Sequence, residues 1–185
     1  MEENKITNQL ARTFEVEMPF ANNQTEYLDK IVPMVRQWSE DLREEEYYED
    51  RPWLEVSDSE TFHDTILHFF NSGGEYLRSV NGNVGGGSWR YMEAANKLLL
   101  EYKGKTELYD LAFMNGKFFI LKKHGHHSGG QKYFMMIYEP FGRRLEWRDA
   151  LEELFNTYRS SSNLFVTLTI IILIAVAIVV VLSIF

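Results

Sequence analysis

The chain has 185 residues, a formal net charge of −8 and no cysteine. The lack of Cys excludes disulfides and thiolate metal sites and agrees with a reducing compartment. Residues 1–60 hold 16 Asp/Glu against 6 Lys/Arg, residues 61–162 hold 11 against 13, and no basic stripe stands apart from its acidic neighbours, so nucleic acid is not an expected partner.

Residues 1–61 read as an acidic segment with one helix. The first ten residues are acidic and polar, which is not a signal peptide. Phe14, Val16 and Met18 alternate with Glu15 and Glu17, the pattern of a short strand. Asn22, Asn23 and Gln24 suit a loop, and Thr25 suits a helix cap. Leu28, Ile31, Val35, Trp38 and Leu42 then recur at helical spacing. Pro33 inside that run predicts a kink or the true helix start. The rival is a strand from about Val35 to Leu42. Glu44, Glu45, Glu46, Glu49 and Asp50 cluster beside Tyr47, Tyr48 and Trp53. The expectation is a solvated connection, with a docking surface for a basic partner as the alternative.

From Trp53 the character turns to β. Seven strands are predicted, over 65–70, 75–80, 87–92, 97–102, 106–114, 117–122 and 132–139. These segments are rich in aromatic and β-branched residues and mostly alternate. Turn residues separate them at Asn71–Gly74, Asn81–Asn83, Ala94–Asn96, Gly104 and Asn115–Gly116. That spacing predicts an antiparallel meander over 62–140, closed into a barrel or packed as a sandwich. The fold class expected is mainly β (α+β).

Phe69–Phe70, Gly74, Tyr76, Gly87, Trp89, Leu98–Leu100, Tyr109, Leu111 and Phe118–Leu121 carry a family pattern. An apolar strand ends in Phe, a Gly turn and an aromatic strand follow, then Gly-x-Trp, a Leu-rich strand and a Tyr-x-Leu strand. In this order residues 62–139 resemble bacterial lipocalin-like domains. The resemblance implies an up-and-down β-barrel or half-barrel, and does not by itself imply a ligand.

After Pro140, Trp147, Leu151, Leu154, Phe155 and Tyr158 form one apolar stripe, which predicts a juxtamembrane helix within 141–160. Residues 160–163 (Ser-Ser-Ser-Asn) predict a short polar hinge. Residues 164–185 carry no charge, and 17 of them are Leu, Ile, Val or Phe. As a helix they span roughly 33 Å, enough for a hydrocarbon core of about 30 Å. The expectation is a transmembrane tail anchor, with the lipid bilayer as partner. Arg143, Arg144, Arg148 and Arg159 on its near side predict a single-pass protein whose soluble domain faces the cytoplasm.

Candidate chemistry is sparse. His124, His126 and His127 lie in a Gly-rich loop with no acid inside it, and an exposed loop is favoured over a metal site. His63 and His68 suit core or edge positions. Asn83 to Ser88 lacks the Gly-Lys-Ser/Thr and the helix that a phosphate loop needs, and reads as a loop or bulge at a barrel rim. No catalytic, cofactor-binding or metal-ligating residue is assigned, and no enzyme is expected. The expected function is an interaction or scaffold subunit of a membrane-associated complex, with protein partners or a homo-oligomer. The alternative is a membrane-tethered binder of a small apolar ligand inside the barrel, and interior volume discriminates the two.

Overall fold

A computed structural model describes residues 17–59, 64–125 and 131–184. The chain divides into two units, Pro19–Glu152 and a second made of Met1–Met18 with Glu153–Phe185. The strand expected around Phe14 and Val16 lies outside the described residues.

The larger unit contains eight strands: β1 (Pro52–Glu55), β2 (Ile66–Asn71), β3 (Glu75–Val80), β4 (Asn83–Met92), β5 (Lys97–Tyr102), β6 (Lys105–Met114), β7 (Phe118–Lys123) and β8 (Tyr133–Tyr138). They pair in sequence order, all antiparallel, and β1 pairs with β8 to close the barrel. Seven of these strands were expected. The eighth, β1, is too short to show alternation and starts at a proline. Yet it joins the two edges, with Trp53 opposite His68 on one side and Tyr138 on the other.

The glycine run also departs from expectation. Gly85, Gly86 and Gly87 are not a rim loop but the first half of β4, paired to β3 throughout. The reason is space. A Cβ on Gly87 would lie 2.2 Å from the Glu101 carbonyl oxygen, and one on Gly85 would lie 2.6 Å from the Tyr102 hydroxyl. Glycine lets β5 and the interior rings approach this closely.

Strand alternation sends one set of side chains inward. At one end these are Trp53, Phe70, Tyr76, Trp89, Leu98, Leu111, Met114, Phe119, Leu121 and Met136, packed as a single core. Leu42 and Tyr48 join them from the acidic segment. The Tyr48 ring stacks on Phe119 at 5.2 Å and meets Trp89 edge-on at 5.4 Å. Its hydroxyl donates to the Leu42 carbonyl at 3.0 Å, and the Trp53 indole N–H donates to the Tyr48 carbonyl at 3.0 Å. Residues 42–53 are therefore a plug in the barrel end rather than a solvated connection. Glu44, Glu45 and Glu46 stay exposed, so charge patterning described the outside of the segment and missed its anchor.

The helix predicted from Thr25 to Leu42 is shorter. Helix α1 (Gln24–Val35) is capped by Asn23, whose side chain accepts from the Glu26 N–H at 2.8 Å while its amide donates to the Glu26 carboxylate at 3.1 Å. The Asn23 oxygen thus satisfies one free N–H of the first turn, and the Glu26 carboxylate in return accepts the Asn22 backbone N–H at 3.0 Å. A single 3₁₀ turn, Arg36–Trp38, follows. Leu28, Ile31, Val32 and Val35 are buried, and α1 lies against β6. Arg36 donates to the Leu111 carbonyl and, at 2.9 Å, to the Ala112 carbonyl, where the β6–β7 register shifts. Ala112 is skipped in the register at this bulge, and the guanidinium satisfies its carbonyl. On the outer face Phe113, Phe118, Ile120, Met135 and Ile137 are buried too. That burial on both faces is why β7 reads as a continuous apolar run.

Helix α2 (Glu139–Gly142) turns the chain out of β8, with Gly142 so close to Ile137 that a Cβ would lie 2.8 Å from it. Helix α3 (Trp147–Ile184) starts with Trp147 edge-on to Tyr27 at 5.9 Å, and Ala150 and Leu151 are buried. The hinge expected at 160–163 is instead continuous helix.

In the second unit Ile170, Ile171, Ile172, Leu173, Ile174, Val176, Ile178, Val179 and Val180 are all exposed. Among the described residues no helix is long and apolar enough to cross a membrane. The expected span at 164–185 falls in large part on side chains outside the described residues.

Candidate functional site: a polar pocket in the open end of the barrel

The inward positions change character away from the plug. There the same alternation delivers Glu55 from β1, His68 from β2, Arg78 from β3, Tyr102 from β5, Lys105 and Glu107 from β6, and Lys123 from β7. They line a cavity of about 330 Å³ together with Tyr76, Leu100, Tyr109 and Phe134. Among the described residues the barrel is thus filled in one half and hollow in the other.

Two hydrogen-bonded groups organise the pocket wall. In the first, His68 Nδ1 lies 2.5 Å from the Tyr76 hydroxyl and Nε2 lies 2.9 Å from Glu55. Burial pushes the His68 imidazole below its ordinary value, against the opposing pull of the Glu55 carboxylate. A neutral ring has one N–H, so Tyr76 donates to Nδ1 and Nε2–H donates to Glu55. Burial raises the Tyr76 phenol, which keeps its proton in place. Phe134 meets the His68 ring edge-on at 4.8 Å and holds its plane.

In the second group, Glu107 accepts from the Tyr109 hydroxyl at 2.5 Å and from the Lys123 ammonium. Burial works to raise the Glu107 carboxyl, but these two donors and the positive charges of Lys123 and Lys105 outweigh it and hold it below the usual range. Burial and the Glu107 carboxylate together push the Tyr109 phenol far up.

Of the histidines flagged by sequence, His68 is the one that the structure brings to the pocket. It is buried, as expected of a core position, yet both its nitrogens are engaged. His63, His126 and His127 lie outside the described residues. His124 sits 2.9 Å from Asp110 of β6 and 2.7 Å from Lys97 of β5. An acid absent from its own loop is therefore supplied by a neighbouring strand. Among the described residues no group of three or more His, Cys, Asp or Glu is arranged to hold a metal ion. Glu55, Arg78, Glu107 and Lys123 were not picked out from sequence. For Glu55, Arg78 and Glu107 the signal was a charge two residues from an inward aromatic, as in Tyr76-x-Arg78 and Glu107-x-Tyr109, whereas Lys123 follows the inward Leu121 and had no such signal. No family model, curated protein or solved structure matches the chain.

The neutral His68 has a measurable consequence. The unfolded chain takes up a proton near the ordinary value of 6.5, whereas the folded chain resists it to lower pH. Stability is fully present above pH 6.5 and falls as the pH drops below it. Urea midpoints should decline between neutral and mildly acidic pH in the native protein, and decline less in His68→Gln. Equal decline in both would show that His68 is not the group responsible.

Proposed function

We propose that this protein is a membrane-held β-barrel that binds a small polar molecule in the pocket of its open end. The observation that carries this reading is the split interior. A barrel used only as a structural core would fill both halves with aliphatic and aromatic side chains, because burying ionisable groups is costly. This one spends several charged side chains on lining a cavity of about 330 Å³. The lining favours a polar ligand over an apolar one. The interaction-subunit reading keeps a support of its own in the exposed Glu44, Glu45 and Glu46 beside the plug.

Residues 164–185 anchor the chain in a bilayer under this proposal. They are uncharged, they belong to α3 as far as Ile184, and successive exposed side chains from Ile170 to Ile174 surround the helix with aliphatic surface. Such a surface is unfavourable in water and stable in lipid. The arginines at 143, 144, 148 and 159 favour a cytoplasmic barrel.

Amide resonances of the full chain in detergent micelles test the pocket. Titration with a panel of small polar molecules should move signals of Glu55, His68, Arg78, Tyr102, Lys105 and Glu107 while the plug stays still. Silence of the pocket to the whole panel would remove the binding reading. In membranes, the full chain should resist an alkaline wash and a chain ending at Asn163 should not. Retention of the shorter chain would remove the anchor.

A further inference from the structure

The two carboxylates in the pocket already have hydrogen-bond donors within it. Glu55 accepts from His68 and lies 3.6 Å from Arg78, and Glu107 accepts from Tyr109 and Lys123. The donors are not matched in the same way. Arg78 has five N–H groups in a fixed fork. Among the described residues its guanidinium makes no hydrogen bond, and its contacts are the long approach to Glu55 and a position 5.8 Å over the Tyr102 ring. The Tyr102 hydroxyl has no hydrogen bond among the described residues. Lys105, opposite Tyr102 in the β5–β6 register, has no hydrogen bond or ion pair there and acts only as a charge on Glu107.

These three groups share one wall. Gly85 pairs with Arg78 and Gly87 pairs with Tyr102, so β4 puts no side chain between them. A Cβ at Gly85 would collide with the Tyr102 hydroxyl, so the missing side chain is what leaves that hydroxyl room. The result is a forked cation, a hydroxyl and an ammonium around one cavity.

We infer that the pocket takes a small molecule bearing an oxyanion, a carboxylate or a phosphate, held by Arg78, Tyr102 and Lys105. The inference rests on the ligand-binding reading and assigns the charge of the ligand. Glu55 then serves as a positioning residue, because it lies 3.6 Å from one terminal nitrogen of Arg78 without hydrogen-bonding to it. Guanidinium matches carboxylate and phosphate oxygens in a bidentate geometry, which a half-buried site strengthens.

The experiment uses the full chain in micelles with four probes: succinate, inorganic phosphate, glucose and putrescine. Succinate or phosphate should shift the pocket amides saturably, and binding should weaken as salt is raised. Which of the two binds more tightly tells a carboxylate site from a phosphate site. Arg78→Gln should weaken that binding about tenfold or more, as loss of a charge-assisted hydrogen bond does. Lys105→Gln at the mouth, far from the packed core, should weaken it as well and serves if the first variant unfolds. Glucose or putrescine binding in the pocket without the anions would overturn the oxyanion assignment and leave the pocket reading standing. Anion binding that survives both substitutions would overturn it too. No response to any of the four probes would overturn it as well, and the broader panel then decides the pocket itself.

Discussion

Trp53→Ala should destabilise the barrel by about 3–5 kcal/mol, the range for truncating a fully buried tryptophan. Trp53 is 0% exposed. Its ring packs against Phe119 at 5.5 Å and Tyr138 at 6.3 Å, and the Arg51 guanidinium stands 5.6 Å over it. Its indole N–H also holds the Tyr48 carbonyl, so the truncation removes a ring from the core and a tie from the plug together. The strand that carries it is four residues long and closes the barrel on both sides. A weakened β1 therefore loosens β2 and β8 at once. Val84→Ala is the matched control, because Val84 is 65% exposed on β4 and should move the urea midpoint little. If the two variants melt alike, Trp53 does not lock the plug to the barrel closure.

Strand alternation made most of the barrel legible. β2, β3, β5, β6, β7 and β8 fall within a residue or two of their expected bounds, because each is an aromatic or β-branched run and turn residues stand between most of them. Asn81 and Gly82 both have positive φ, at 50° and 88°, as a two-residue hairpin turn between twisted strands requires. What hid the rest was local. β1 offers four residues and a proline. The first half of β4 offers glycines, which look like a loop unless one knows how closely β5 approaches. Tyr48 is one aromatic among glutamates, and only tertiary packing distinguishes it from Tyr47 beside it.

The pocket was hidden for a different reason. Charges along a strand belong inside or outside according to register, and a shift by one residue exchanges the two faces. Arg78 and Glu107 read as solvent-facing until Tyr76 and Tyr109 are known to point inward. The same logic inverted the discriminator that sequence suggested. Filled and hollow were treated as alternatives, and the barrel is both, one half each.

Gly87→Ala should destabilise the barrel by about 3 kcal/mol or more, at the upper end of what overpacking does. The single methyl would arrive 2.2 Å from the Glu101 carbonyl oxygen and 3.1 Å from the Tyr76 ring. Neither neighbour can yield freely. Glu101 sits in the β4–β5 ladder opposite Ser88, and Tyr76 is 1% exposed with its hydroxyl held to His68. Relief requires β4 to part from β5 or Tyr76 to leave its place, and the second route also disturbs the pocket. The expected result is a lowered urea midpoint with displaced resonances for Tyr76 and His68. Gly86→Ala is the comparison, because a Cβ there meets nothing within 4 Å. That variant should be neutral or slightly stabilising, since alanine loses less backbone entropy than glycine on folding. Equal stability of the two would mean that the glycines of β4 are not required by the approach of β5, and that the open wall between Arg78 and Tyr102 has another cause.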